Sequence, residues 1–368
     1  MYIKILGFLL LCQSFSACQQ GSELATAKEA NLPYKAIAVN QQSLGEVLLP
    51  ATNIVFQSAD GGQTWQDISA GLPQKFSVGR VFADGEEVYL ASEHALYRSN
   101  AASETPVWEN ENLFGCANED FFDIPISNIF HGQSGSYISS YYKGLFQKVP
   151  GTGVLIPLHA NLKDKTIRTV LETADGALFV GCESGLYKTT DGGKNWKKVF
   201  ADMGINSLVA ADGVLLSGTY EGLLRSTDGG ENWDYVLTKE GGIYRTKPID
   251  GGFVTMADGG STWNEVREHG MTNKIFSSTD QGKTWQRIDA GLLVNPFVSN
   301  VEIDLPKAQT IFDIEQVGKY LFSSTEAGIF RSSDQGKTWE LVFRNTSKRI
   351  LNFAVSGKMI YAVPVAGC

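Results

Sequence analysis

The feature that most limits what this chain can become is an eight-residue box that keeps returning. SADGGQTW starts at Ser58, TTDGGKNW at Thr189, STDGGENW at Ser226, STDQGKTW at Ser278 and SSDQGKTW at Ser332. Each copy follows a run of alternating apolar and polar residues: NIVFQ, GLYKT, GLLRS, KIFSS and GIFRS. A second strand-like run stands before it, as in ALFVGCES, VLLSGTYE and YLFSSTEA. Short alternating runs with a period of about 40 residues describe a repeated four-stranded unit.

The tryptophans count the units. Trp65 to Trp108 is 43 residues and Trp108 to Trp196 is 88, two units; the later steps, to Trp233, Trp285 and Trp339, are 37, 52 and 54. One unit has therefore lost its box. It survives as SYISSYYKGLFQKVPGTGVLIPL, where Gly144-Leu145-Phe146 stands for Gly185-Leu186-Tyr187. The unit ending at Trp108 is eroded to ALYRSNAASETPVW, which brings the count to seven. Trp263 sits in a look-alike, ADGGSTWNEV, that follows a second strand, GGFVTM, and precedes the third, NKIFSST. Ala257 to Asn273 thus reads as an insertion between strands.

The box has the chemistry of a turn. Its Asp accepts backbone N–H bonds, its glycines allow left-handed backbone, and its Trp brings a large apolar body to pack. A phosphate loop would need Gly-x-x-x-x-Gly-Lys-Ser/Thr between strand and helix. Here Lys194 is followed by Asn195, Trp196 and a strand, and Gln63 and Glu231 replace it in other copies. A catalytic Asp repeated five times is equally out of place. Arg98, Lys188, Arg225 and Arg331 share one repeat position, which points to a solvated or intra-unit role.

Ser/Thr-x-Asp-x-Gly-x-Thr-Trp resembles the Asp-box, or BNR repeat, of β-propellers that include sialidases, xyloglucan-degrading glycosidases, the sortilin family and photosystem II assembly factors of the Ycf48 type. The resemblance covers about residues 35–368. It implies an all-β fold: one seven-bladed β-propeller of four-stranded antiparallel blades. Its structural residues are Asp60, Trp65, Asp191, Trp196, Asp228, Trp233, Asp280, Trp285, Asp334 and Trp339. RILNFAVSGKMIYAVPVAGC reads as two last strands that complete the first blade beside NIVFQSADGGQTW and close the ring. YKAIAV is then surplus, and the exact partition stays open.

The N-terminus lies outside this scheme. MYIKILGFLLLCQSFSACQQ has Lys4, an apolar run, and Ser16-Ala17 before Cys18, a secretory signal too short to span a bilayer. It resembles a bacterial lipoprotein signal, with Phe15 where that family prefers Leu. The alternative is an ordinary signal peptide with an incidental Cys. The resemblance implies signal 1–17, lipidation of Cys18, a polar tether 18–34 and the propeller 35–368. Gln19 stands where Asp would favour inner-membrane retention, so the expected address is the outer membrane of a Gram-negative bacterium, periplasmic or surface-exposed. Cys116, Cys182 and Cys368 remain; one pair can form a disulfide, and their spacing is not that of a zinc site. No metal or cofactor is expected. The net charge of −9 argues against a nucleic-acid surface.

Antiparallel strands send their connections alternately to two faces. The boxes join strands three and four; loops between strands two and three, and between blades, belong to the other face. The insertions fall there: Glu109 to Pro125, Ala257 to Asn273 and Asp289 to Gln309. Long loops on one side of a rigid scaffold make a binding apparatus. Candidates are Glu119, Asp120, Phe121, Phe122 and Asp123, Tyr141 and Tyr142 at a turn, and Trp263, Arg267 and His269, with Glu268 between the last two. Acid pairs beside aromatics suit sugars, and glycoside hydrolysis needs two carboxylates; a solvated loop with buried Phe anchors is the plainer reading. Glu93, Glu183, Glu221 and Glu326 recur at one turn of this face, as an acid ring or a turn preference. A sialidase would need the Arg-Ile-Pro motif, which is absent, and six blades. The expectation is a non-catalytic envelope lipoprotein that binds a protein or glycan partner on the face away from the boxes; the alternative is a glycan-active enzyme.

Overall fold

The computed structural model describes residues 52–365 except 74–75, 77–78, 93–94, 102, 104, 112–125, 141–142, 153, 202, 259–272, 293–309 and 346–348. The described residues form 28 strands and no helix. They fall into seven four-stranded antiparallel sheets, the blades of one propeller.

Numbered round the ring, blade 2 holds Arg80–Asp84, Glu87–Ala91, Leu96–Asn100 and Glu109–Asn110, and blade 3 Ile126–Gly132, Gly135–Ser140, Gly144–Lys148 and Leu155–Pro157. Blade 4 holds Ile167–Glu172, Leu178–Cys182, Gly185–Thr189 and Lys197–Ala201; blade 5 holds Ile205–Ala211, Val214–Thr219, Leu223–Ser226 and Asp234–Leu237. Blade 6 holds Ile243–Ile249, Gly252–Ala257, Lys274–Ser278 and Gln286–Arg287; blade 7 holds Ile311–Val317, Tyr320–Thr325, Gly328–Ser332 and Glu340–Arg344. Blade 1 is composite: Ile350–Ser356 and Met359–Val365 are its inner strands, Phe56–Ser58 and Gln66–Asp67 its outer ones. Phe56 pairs with Ala362, Gln57 with Tyr361 and Ser58 with Ile360, so both ends of the domain share one sheet, as the sequence leads one to expect. First strands of neighbouring blades touch all the way round, which makes them the inner wall.

The core lies between blades. Both faces of a blade are covered by neighbours, so second strands are buried on both sides rather than alternately: every residue of Leu178–Cys182 and of Val214–Thr219 is buried. One apolar cluster joins blades 7 and 1 through Phe322, Ile329, Phe353 and Ile360, with Trp65 against it. Another joins blades 1 and 2 through Val55, Ile68, Val88 and Tyr361. Full burial of one such side chain stabilises the fold by about 1.5–3 kcal/mol. Cys182 is a free, buried thiol; burial pushes its pKa well up. Cys116 and Cys368 lie outside the described residues.

Candidate functional site

The box proves to be a joint between blades. In its first copy the Asp60 carboxylate accepts the N–H groups of Gln63 and Thr64, each at 2.9 Å, and the Thr64 hydroxyl at 2.6 Å. Ser58 Oγ donates to the same carboxylate and accepts Gly62 N–H at 2.9 Å. Asp191, Asp228, Asp280 and Asp334 repeat the pattern, with Asn195 and Asn232 replacing Thr in two copies. Hydrogen bonds from the Asn195 backbone and side chain and from Thr189 hold the Asp191 carboxyl at about 2. Every acceptor is thus committed within the turn.

Three kinds of contact then tie boxes, and the eroded unit at Trp108, to the blade before, the first in every copy and the other two in some. The second glycine lies at positive φ against that blade: a Cβ on Gly230 would stand 2.6 Å from Phe179. The indoles of Trp108, Trp196 and Trp339 donate backwards to the carbonyls of Ile68, Leu158 and Ile288, at 2.7, 3.1 and 2.9 Å. The repeated cation of strand three reaches forwards. Lys188 Nζ donates to the Gly229 carbonyl at 2.8 Å, Arg225 Nε to that of Gln281 at 2.8 Å, and Arg331 to that of Gly61 at 2.6 Å. These carbonyls occupy one box position, the residue after the Asp. The intra-unit role read from the sequence is therefore corrected for Lys188, Arg225 and Arg331, which staple neighbouring blades. It holds for Arg98, whose next blade has no box and whose ion pairs go to Glu87, Glu109 and Glu111.

The sequence missed a companion motif. Ile68-Ser69-Ala70-Gly71-Leu72, Leu158-His159-Ala160-Asn161-Leu162 and Ile288-Asp289-Ala290-Gly291-Leu292 follow the fourth strands of blades 1, 3 and 6. Each buries both aliphatics and closes a turn by a hydrogen bond from the last leucine N–H to the second residue's carbonyl. Its first carbonyl is the one that takes the next blade's indole. The third insertion accordingly starts later than the sequence suggested. Asp289 to Leu292 belong to the scaffold, with Asp289 fully buried and gripped by Arg287 at 2.6 and 3.0 Å. Glu109 and Asn110 likewise form a strand rather than insertion.

The opposite face holds the connections from blade to blade and from strand two to strand three. Glu119, Asp120, Phe121, Phe122, Asp123, Tyr141, Tyr142, Trp263, Arg267 and His269 all lie outside the described residues, as does Cys18. Among the described residues no group of three or more His, Cys, Asp or Glu is placed to hold a metal ion. Of the four repeated glutamates, Glu183 is bound by Arg168 and Glu326 accepts Thr310 N–H at 2.8 Å. The described residues thus show these two engaged locally; Glu93 lies outside them.

What this face does show is a set of β-bulges. The first strands of blades 3 to 7 each slip register by one residue at the same place, after Ile126, Ile167, Ile205, Ile243 and Ile311. A bulge inserts one unpaired residue and re-aims its side chain. The residue before the slip is Ile in all five blades; the extra residue differs each time: Ser127, Arg168, Asn206, Tyr244 and Phe312. A constant anchor followed by a varied residue is the pattern of a scaffold presenting chemistry. An alignment of the repeats on these isoleucines would have exposed it.

Polar contacts run between these positions. Arg80 donates to the Ser127 carbonyl and to Asn128 Oδ1, at 2.6 and 3.2 Å. Arg168 donates to Asn206 Oδ1 at 3.0 Å, and Asn206 donates to the Ile243 carbonyl at 3.1 Å. Arg168 also pairs with Glu183 and lies 5.2 Å from the centre of the Tyr220 ring. Tyr244 donates its hydroxyl to Asp258 Oδ2 at 3.2 Å, and Asp258 Oδ1 accepts Gly242 N–H at 3.0 Å. Tyr220 and Tyr244 remain 37% and 47% exposed, large rings left open on this part of the face. Burial, then the Asp258 charge, pushes the Tyr244 hydroxyl up to about 12, so it is a neutral donor at any ordinary pH. One blade on, Arg245 pairs with the buried Asp313 at 2.9 Å and Lys247 with Glu315 at 2.7 Å.

Comparison with known proteins agrees with this architecture. The family model of the BNR/Asp-box repeat matches residues 276–287, the third strand and box of blade 6. No curated protein sequence matches the chain. Among solved structures, YCF48 from Cyanidioschyzon merolae is similar at 14% identity and a TM-score of 0.51, over 78% of this chain and 95% of that one. Human WBSCR16 is similar at 9% identity and a TM-score of 0.55, over 86% and 99%. An ancestral GH74 enzyme is similar at 12% identity and a TM-score of 0.51, over 82% of this chain and 44% of its own longer one. At such identities the likeness is one of fold. With its five boxes and closed ring of four-stranded sheets, this chain is a seven-bladed β-propeller that carries BNR, or Asp-box, repeats.

Proposed function

We propose that this protein is a non-catalytic lipoprotein of the cell envelope, held to the outer membrane through Cys18, whose propeller binds a protein or glycan partner on the face opposite the boxes. One observation carries the reading: the two faces do different work. On the box face every conserved group of the repeat is spent on the turn or on the neighbouring blade. On the other face an unvarying isoleucine carries a different bulge residue in each of five blades, and two tyrosines there stay open to solvent. The three insertions read from the sequence attach to that same face. Repetition builds the disc and departure from repetition supplies recognition.

Two experiments test this. Cys18→Ala should move the protein from the membrane to the soluble fraction, and unchanged fractionation contradicts the anchor. Glu119→Ala, Asp120→Ala and Asp123→Ala should remove no hydrolytic activity, because none is present in the parent. Release of reducing sugar from envelope or plant glycans by the parent, abolished in these variants, would make the protein a glycan-active enzyme.

A further inference from the structure

We propose that Arg168, Glu183, Tyr220, Tyr244 and Asp258 form a binding subsite for a neutral oligosaccharide, spanning the exposed ends of blades 4 to 6. The proposal rests on the assignment of this face as the binding face and gives it a ligand chemistry.

Charge matching decides that chemistry. An anion would need a cation to receive it, and the one cation among these five residues, Arg168, is engaged with Glu183. Breaking such a pair to seat an anion costs the pair and leaves a carboxylate uncompensated. A cation would seek the carboxylates or the face of Tyr220; Glu183 is bound by Arg168, Asp258 accepts the Gly242 N–H and the Tyr244 hydroxyl, and the Arg168 guanidinium already lies over the Tyr220 ring. A neutral, hydroxyl-rich ligand meets neither obstacle. Its C–H faces can lie on the open tyrosine rings, and its hydroxyls can bridge donors and acceptors: the Arg168 guanidinium donates, the carboxylates of Glu183 and Asp258 accept, and the Tyr244 hydroxyl and the Asn206 amide do both.

The platform is held in place. Tyr220 packs over Gly204, where an added Cβ would stand 2.6 Å from the ring, and Gly242 lies beside the Tyr220 backbone and the Asp258 carboxylate. Tyr244 sits on a bulge anchored by the fully buried Ile243 and is tied by its hydroxyl to Asp258. The tyrosine on Tyr244's bulge, the arginine on Arg168's and the amide on Asn206's occupy one repeat position in three consecutive blades. Pre-ordered aromatic and planar polar groups reduce the entropy lost on binding.

The test titrates the full chain with cellohexaose, maltohexaose, a xyloglucan heptasaccharide and N,N′,N″-triacetylchitotriose. A galacturonate hexamer and a glucosamine hexamer serve as anionic and cationic controls. Calorimetry gives affinity, and saturation-transfer NMR shows which sugar protons touch protein. At least one neutral oligosaccharide should bind, with aromatic-proximal C–H signals. Tyr244→Ala should weaken it about tenfold or more, while Tyr244→Phe, which keeps the ring and loses the Asp258 bond, should weaken it only about two- to threefold. Circular dichroism of each variant confirms the fold. Binding of no neutral oligosaccharide in the set, of the charged hexamers alone, or with equal affinity to Tyr244→Ala and Tyr220→Ala overturns the proposal. If no sugar binds but a photo-crosslinker at Tyr244 captures a protein, the subsite proposal fails and the binding face stands.

Discussion

Replacing Arg331 with Met should loosen the seam between the last blade and the composite one. The Arg331 side chain is 13% exposed. It donates to the Gly61 carbonyl at 2.6 Å across the seam and to Glu340 Oε1 at 2.6 and 2.8 Å within its own blade, and it lies 4.7 Å from the centre of the Tyr320 ring. The charged hydrogen bond is worth about 1.5–3 kcal/mol and the ring contact about 0.5–1 kcal/mol. Glu340 is 60% exposed and adds about 1 kcal/mol at most. Methionine keeps most of the apolar stem, so the expected loss is about 2–4 kcal/mol. An unfolding entropy of about 2.1 cal/mol/K per residue gives roughly 0.65 kcal/mol/K for a propeller this size, hence a fall of about 3–6 °C in Tm. Urea unfolding followed by tryptophan fluorescence reads the free energy, and calorimetry reads Tm. Arg225→Met, which removes the more exposed bond to Gln281, should cost less. A change below about 0.5 kcal/mol in Arg331→Met would refute the idea that the cation staples the seam.

Further outcomes follow from the same joints. Gly230→Ala combines a left-handed φ of 81° with a Cβ 2.6 Å from Phe179 and should destabilise by about 2–4 kcal/mol in urea. Arg245→Met should cost about 3 kcal/mol by leaving Asp313 buried without its cation, and adding Asp313→Asn should recover much of it in a double-mutant cycle. The box aspartates fix the acid limb of stability. Asp191 and Asp334 sit at about 2 in the fold against an ordinary 3.8, a depressed folded pKa. Their contribution is whole above about pH 4 and is lost as pH falls through about 2. The urea midpoint should therefore decline across that window, less steeply in Asp191→Asn, and an identical slope in the variant contradicts the assignment.

The fold was legible because the repeat repeats. Five boxes and the spacing of Trp65, Trp108, Trp196, Trp233, Trp285 and Trp339 gave the blade count, and the box-free end beyond Trp339 gave the closure. The same repetition hid the joints. Arg331 and Lys188 look like surface cations until the next blade is placed beside them, because their acceptors are backbone carbonyls, which have no sequence signature. Asp289-Ala290-Gly291-Leu292 reads from the sequence as the start of an insertion because its polar first residue and glycine resemble a loop, although Leu292 is fully buried. The candidate site was the least legible. A bulge is one residue in a strand and leaves no composition change, so nothing in the sequence marks Arg168, Asn206 and Tyr244. The long insertions drew notice instead, since length is visible in a sequence and register is not.

The division of labour between the two faces is tested most directly by site-specific photo-crosslinking in the living cell. A benzoylphenylalanine is placed at Tyr244 or Tyr220 on one face, and at Thr64 or Thr338 in the boxes of the other. Adducts to one discrete envelope component from the tyrosine positions, absent from the box positions, are the result the account predicts. Adducts confined to the box positions would contradict it and put the recognition surface on the face assigned to the scaffold.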